Sequence, residues 1–340
     1  MDPLAIVVIT VGVALLFDVI NGFHDAANSI ATIVSTRVLS PRYAVLWAAF
    51  FNFVAMFIFA PKVADTIAKT VVIDAADPAY VYVVMTGLLG AILWDLLTWW
   101  WGLPTSSSHA LIGGFVGAGM AHGAVVRWNK VMTTVGYIPL APLMGLVLGF
   151  FFMVALYWIF RRRRPASVDY LFRRGQFLSA AMYSLGHGGN DAQKTMGMIV
   201  ALLVAGGYFQ SDVKLSLLEW KTLWIILSCH AAMALGTALG GWRIVKTMGM
   251  KITKLKPVGG FCAETAGATT LFLATNLGIP VSTTHTITGA IIGVGSTTKF
   301  STIKWGIARN IVWAWIMTIP LSAVVSAVCF YVIKAVHPAF

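Results

Sequence analysis

Charged residues are scarce in this sequence. Asp, Glu, Lys and Arg make up 11% of its 340 residues, against 59% hydrophobic ones. A water-soluble chain of this length needs a charged coat around its core, and too few charges are present to make one. What fills the chain instead is long uncharged runs. Ala44–Pro61, Val131–Phe160 and Ile311–Ile333 approach or exceed the roughly 20 residues that cross a bilayer. Cysteine is also rare. Cys229, Cys262 and Cys329 lie in apolar stretches without CxxC spacing, which excludes a disulfide framework and a thiolate metal site. No Lys or Arg precedes Arg37, so the apolar run Leu4–Ile20 lacks the basic region of a cleaved leader and is expected to stay as a helix. The formal charge of +12 sits mostly in short loops between apolar runs. That placement marks membrane orientation and argues against nucleic acid as a partner. No motif for a metal or an organic cofactor is present.

The chain repeats itself. Gly22-Phe23-His24-Asp25-Ala26-Ala27-Asn28-Ser29 is matched 166 residues later by Gly188-Gly189-Asn190-Asp191-Ala192-Gln193-Lys194-Thr195. Gly102-Leu103-Pro104-Thr105-Ser106-Ser107-Ser108-His109 is matched 176 residues later by Gly278-Ile279-Pro280-Val281-Ser282-Thr283-Thr284-His285, and Gly113, Gly117 and Gly119 then fall on Gly289, Gly293 and Gly295. Two pairs in the same order, sharing Asp and His, indicate duplication. The expected organisation is a first repeat over 1–160, a short basic connecting loop over 161–176 and a second repeat over 177–340.

Charge then sets the topology. Each half is expected to hold two spans, a hairpin and a third long span. The hairpin arms are Val83–Trp101 with Ser106–His122, and Val258–Ala274 with Thr283–Thr297. With the N-terminus outside, Arg37, Arg42, Arg161 to Arg164, Arg173, Arg174, Lys246, Lys251, Lys254, Lys256, Lys299, Lys304 and Arg309 fall inside. Only Lys62, Lys69, Arg127, Lys130, Lys214, Lys221 and Lys334 fall outside, together with Asp65, Asp74, Asp77, Asp212 and Glu219. That is a positive-inside bias. Each half crosses an odd number of times, so the second copy is inverted, the plan of secondary transporters with a site near the midplane. The expected fold class is an all-α, multi-pass integral membrane protein of two inverted repeats. Each repeat carries a re-entrant hairpin, since most arms are short for a span and neither turn holds a charge. Both termini lie outside, and the central basic loop is cytoplasmic.

An ionised Asp at membrane depth is costly and persists with a partner or a function. Asp25 and Asp191 follow apolar segments beside Gly22 and the pair Gly188-Gly189, where the backbone is expected to unwind. With Asn28 and Asn190 they suit a cation or proton site; Asp18 has Ser184 as its counterpart and ranks lower. Each Gly-x-Pro turn ends one helix, and a hydroxyl-rich segment begins the next. Helix N-termini offer free N–H groups and the positive end of the dipole. Ser106, Ser107, Ser108, Ser282, Thr283 and Thr284 add neutral donors, so two tips meeting at a pseudo-two-fold axis could wrap a tetrahedral oxyanion. His109 and His285 follow the turns, either as packed polar residues or as proton relays. Glu264 is a lone membrane carboxylate whose counterpart is Leu88, a candidate coupling-ion or proton site since such sites need not be duplicated, and Lys194 breaks the symmetry against Asn28. Tryptophans 99 to 101, 313 and 315 read as packing or interfacial belt residues.

These motifs, Gly22-Phe23-His24-Asp25-Ala26-Ala27-Asn28, Gly189-Asn190-Asp191-Ala192 and the paired Gly-x-Pro turns ending in His, resemble those of the inorganic phosphate transporter (PiT) family over nearly the whole chain. His24 departs from the Asn that many members carry there. The resemblance implies symport of inorganic phosphate with a cation, Na+ in some members and H+ in others, often with a metal–phosphate complex. It implies site residues in the two Asp motifs and the two tips, residence in the plasma (inner) membrane, and homodimers among members. His24 and Lys194 lean the expectation toward protons. Sulfate is the nearest rival substrate, although a carboxylate acceptor favours a protonated anion such as phosphate. The rival from another class is an intramembrane hydrolase with Ser106 or Ser282 as nucleophile and His109 or His285 as base. It lacks an acid nearby in sequence to orient the imidazole, so the chain is expected not to be an enzyme.

Overall fold

The computed structural model describes residues 3–68, 71–72, 77, 79–210, 212–298 and 300–336. Lys69, Asp74 and Lys299, which entered the sequence reading, lie outside them. The first half holds α1 (Pro3–Ser35), α2 (Pro41–Val54, continued by a 3-10 turn), α3 (Lys62–Ala68), α4 (Ala79–Trp101), α5 (Ser107–His122) and α6 (Trp128–Phe160). The second holds α7 (Pro165–Ala205), α8 (Trp220–Leu239), α9 (Trp242–Lys246, continued by a π-helical turn), α10 (Pro257–Asn276), α11 (Thr283–Ser296) and α12 (Trp305–Val336). Both halves therefore run through one order of elements: long helix, medium helix with a short continuation, helical hairpin, long helix. Two short strands, β1 (Val71–Val72) and β2 (Val125–Val126), pair antiparallel and are the one departure from helix and loop among the described residues.

Composition explains the lengths. α1, α4, α6, α8 and α12 are long and apolar enough to cross a membrane. α7 is the longest helix at 41 residues, about 60 Å at 1.5 Å per residue, but it starts in an arginine-rich segment and carries the polar stretch Asn190–Thr195. Pro41, Pro165 and Pro257 open α2, α7 and α10, where a fixed φ suits the first turn and the missing N–H costs nothing.

Two expectations are corrected here. The segment 161–176 is not a loop throughout. Arg161–Arg164 makes the turn and Pro165 starts α7, whose residues Phe172 and Gln176 are already buried. Nor do α1 and α7 unwind at their glycines: both helices run unbroken through Asp25 and Asp191. The glycines serve close helix approach instead. A Cβ on Gly22 would lie 2.2 Å from the Met233 carbonyl oxygen, and one on Gly236 2.0 Å from that of Val19, so α1 and α8 meet backbone to backbone as small residues allow in membrane helices.

Helices pair across the halves. α1 packs on α8 and α2 on α7, α5 on α12 and α11 on α6. Apolar burial forms two main clusters. One joins Phe17 of α1 to Ala192–Leu203 of α7 with α4, α5 and α8. The other joins Ala27–Ile33 of α1 to Ala180 and Tyr183 of α7 with α2, α10 and α11. The polar middles of α1 and α7 fall at the junction between these clusters.

Candidate functional site

The two hairpin turns are built alike. Gly102 and Gly278 sit at φ +66° and +70°, the left-handed conformation that ends α4 and α10 and that side chains disfavour. Pro104 and Pro280 follow. Ser106 and Ser282 then cap α5 and α11, each hydroxyl oxygen accepting from the backbone N–H of the histidine three residues on, at 3.2 Å in both. Their oxygens are thus engaged in capping, as N-cap serines commonly are. Ser107, Ser108, Thr283 and Thr284 stand in the first turns, all buried.

α1 and α7 bring their Asp motifs to these tips. The Asn28 amide donates to Thr283 Oγ1 at 3.1 Å and Thr284 Oγ1 at 2.9 Å. Thr284 in turn donates to Asp25 at 3.4 Å and Thr283 to Asp191 at 3.3 Å. Asn190 donates to Thr275 Oγ1 at 3.0 Å and to the Ile279 carbonyl at 3.2 Å, and its Oδ1 accepts from the Val281 N–H at 3.4 Å. Lys194 reaches the Asp191 carboxylate, the Ser108 hydroxyl and, at 3.0 Å, the Val281 carbonyl. His24 Nδ1 lies 2.8 Å from Asp25 Oδ1, while its Nε2 faces Thr98 Oγ1 at 3.1 Å and Thr105 Oγ1 at 3.4 Å. Sequence positions 24 to 28, 105 to 108, 190 to 194 and 281 to 284 therefore form one buried polar cluster.

His109 and His285 face each other, with ring centroids 4.8 Å apart, and His285 stacks on Trp315 at 3.9 Å. Neither ring hydrogen-bonds its neighbouring Ser106 or Ser282, whose oxygens take the backbone N–H instead. The serine–imidazole contact that a hydrolase needs is not made. Trp315, read from the sequence as packing, also donates to the Pro104 carbonyl at 3.0 Å and so braces the first tip.

Glu264 stands in a separate polar cluster. It accepts from Thr32 at 2.6 Å, Gln176 at 2.9 Å and Ser179 at 2.5 Å, drawing α1 and α7 onto α10. A carboxylate with three donors is well satisfied without a counter-charge. Asp18 likewise accepts from Thr195 at 2.6 Å.

Sequence reasoning missed His187. Its counterpart in the first repeat is Asn21, so it falls outside the matched motifs. In the fold its Nε2 lies 3.3 Å from Asp191 Oδ2, and its Nδ1 lies 3.3 Å from Ser29 Oγ and 3.2 Å from Asn52 Oδ1. One ligand atom each from Asp25, His187 and Asp191 lies within 4.8 Å of the others, a grouping that could hold a cation; the sequence reading put Asp25 and Asp191 in a cation or proton site but did not include His187. Only the i,i+4 spacing of His187 and Asp191 on one helix face could have pointed to it.

Comparison with known proteins points to one family. Residues 21–326 match the phosphate transporter family. The chain is 54% identical over 325 residues to the "Probable low-affinity inorganic phosphate transporter" of Rhizobium meliloti (strain 1021), covering 94% of each chain. It is 39% identical to the protein of the same description from Bacillus subtilis (strain 168), covering 99% of this chain and 100% of that one. Among solved structures it resembles "The sodium-dependent phosphate transporter" with a TM-score of 0.84 and 25% identity, over 98% of this chain and 100% of that chain.

Proposed function

The chain belongs to the phosphate transporter family, and from that premise we propose that it imports inorganic phosphate by cation-coupled symport, with alternating access around the cluster at its two hairpin tips. One observation carries this reading. Ser107, Ser108, Thr283 and Thr284, on the N-terminal turns of α5 and α11, converge with Asp25 and Asp191 in a buried polar cluster between two apolar ones. Hydroxyls and helix N-termini suit an oxyanion. The two carboxylates, each taking a threonine hydroxyl, can accept the proton that phosphate carries and sulfate does not.

The two-repeat plan, 1–160 followed by a second repeat that begins with α7 at Pro165, in inverted orientation supports alternating access. Its support is the swapped packing of α5 on α12 and α11 on α6, together with the positive-inside bias of the loops. α5 and α11 have 16 and 14 residues, about 24 and 21 Å long, short of the roughly 30 Å hydrocarbon core. That shortness favours re-entrant hairpins. The positive-inside bias supports termini outside and an Arg161–Arg164 turn in the cytoplasm, in a cell whose plasma membrane holds the carrier.

For the coupling ion we favour protons, because Lys194 already brings positive charge to one Asp motif and His24 a titratable ring to the other. Sodium is the second reading. The oxygen-rich grouping around Asp25 and Asp191 favours it, as does the likeness to a transporter described as sodium-dependent. Purified protein in liposomes decides both points. Labelled phosphate should accumulate, unmoved by excess sulfate, without a sodium gradient and with collapse on adding a protonophore. Efficient competition by sulfate would sink phosphate as the substrate, and strict sodium dependence would sink proton coupling.

A further inference from the structure

We infer that Lys194 is a resident cation: its ammonium fills one of two repeat-related cation positions in the site, leaving a single position for a mobile coupling cation. The inference rests on the transport reading above and concerns how many cations that site takes.

The repeat arithmetic sets up the comparison. Lys194 corresponds to Asn28 and Asp191 to Asp25, while Ser108 corresponds to Thr284 and Val281 to Thr105. In the second Asp motif Lys194 Nζ donates to the Asp191 carboxylate, the Ser108 hydroxyl and the Val281 carbonyl. An ammonium has three N–H donors. All three are engaged, so none is left for a substrate anion. Carboxylate, hydroxyl and backbone carbonyl are also the oxygens that a hard cation collects. Nζ therefore stands where such an ion would, bridging α7 to both tips, and the side chain is only 1% exposed.

The first Asp motif has the matching carboxylate and hydroxyl, Asp25 and Thr284, without an ammonium. Thr284 donates to Asp25 at 3.4 Å, and the Asn28 amide donates to Thr284 at 2.9 Å. Asn28 is 1% exposed and its Oδ1 has no hydrogen-bond partner among the described residues. A buried amide oxygen left without a donor normally costs stability; a cation beside Asp25 would satisfy it. Among the described residues, His24, 2.8 Å from Asp25, and His187, with a ring nitrogen within 4.8 Å of that carboxylate, are the groups beside it able to carry positive charge. At the cation position the two halves thus differ: the second holds its cation covalently, and the first must take it from solution.

Counting bound sodium tests this. Radioactive sodium is titrated, at fixed pH and without phosphate, onto purified unaltered protein and the variants Lys194→Asn, Lys194→Gln and Lys194→Arg. The Asn and Gln variants should bind one sodium per chain more than the unaltered protein, and the Arg variant should bind no more. Equal stoichiometry in well-folded Asn and Gln variants overturns the inference. If neither variant is recovered folded, the unaltered chain still decides, because two or more sodium ions bound to it would also overturn the inference. In liposomes, phosphate uptake by Lys194→Asn should rise about tenfold or more when sodium replaces choline, the scale of typical site-to-site coupling. A loss that sodium does not rescue would make Lys194 a phosphate ligand instead. Failure of the unaltered protein to take up any phosphate would sink the transport reading and leave the sodium count untouched.

Discussion

At the residue scale, Asp25 and Asp191 persist at membrane depth because each has partners there. Asp191 holds Lys194 and lies beside His187; Asp25 holds His24. Removing one member of a buried, hydrogen-bonded pair costs about 3–5 kcal/mol, so Asp25→Asn and Asp191→Asn should each lower phosphate uptake by about 10²-fold or more while the chain still inserts. Uptake within a few-fold of normal by either variant would make that carboxylate structural. The tip serines separate by role. Ser106 uses its oxygen to cap α5, so Ser106→Ala should cost about 1 kcal/mol of stability and lower the thermal midpoint in detergent. Ser107 has no such bond, so Ser107→Ala should instead raise the phosphate KM. Glu264 accepts from three donors on α1 and α7. Glu264→Gln would turn an amide N–H₂ toward one of them, and a drop in the thermal midpoint should report it.

At the element scale, glycine decides how closely the long helices approach. Gly22 and Gly236 bring α1 and α8 together at distances with no room for a methyl group. Overpacking of that kind costs about 1–3 kcal/mol. Gly22→Ala and Gly236→Ala should therefore lower the thermal midpoint. Gly12, which has no neighbour within 4 Å of its Cβ position, should accept Ala without loss. Equal midpoints for all three variants would remove the close-approach argument. The repeated glycines of the hairpins act in the same way: Cβ atoms at Gly113 and Gly289 would meet the Ile319 and Pro142 carbonyl oxygens at 2.5 and 2.0 Å, which fixes α5 on α12 and α11 on α6.

For the whole molecule, the testable feature is sidedness. Cys229 and Cys262 are buried and Cys329 is half-buried, so the native thiols are shielded from a polar maleimide, and the unaltered protein gives the background labelling. Single cysteines added as Arg162→Cys and Lys214→Cys fall at exposed positions. A membrane-impermeant maleimide applied to intact cells should label the position 214 variant alone. Labelling of position 162 instead would invert the assigned orientation.

The sequence by itself determined the membrane class, the two pairs of matched motifs, and the Asp and hydroxyl residues of the cluster. These are legible because they rest on composition and short-range pattern: an uncharged run, a Gly-x-Pro break, a hydroxyl at a helix start. Only the tertiary structure decided what those residues face. A glycine beside an Asp reads equally as a point of unwinding or of close contact, and Met233 against Gly22 resolves it toward contact, since a neighbouring backbone 211 positions along the chain leaves no local trace. The same holds for His187, drawn to Asn52 and Ser29 across sequence separations of 135 and 158 residues, and for Glu264, whose Thr32 partner is 232 residues away. Lys194 is the sharpest case. As a break in the repeat it was plain from the sequence, but that its three donors are all engaged depends on Ser108 and Val281, which folding brings to it from 86 and 87 residues on either side.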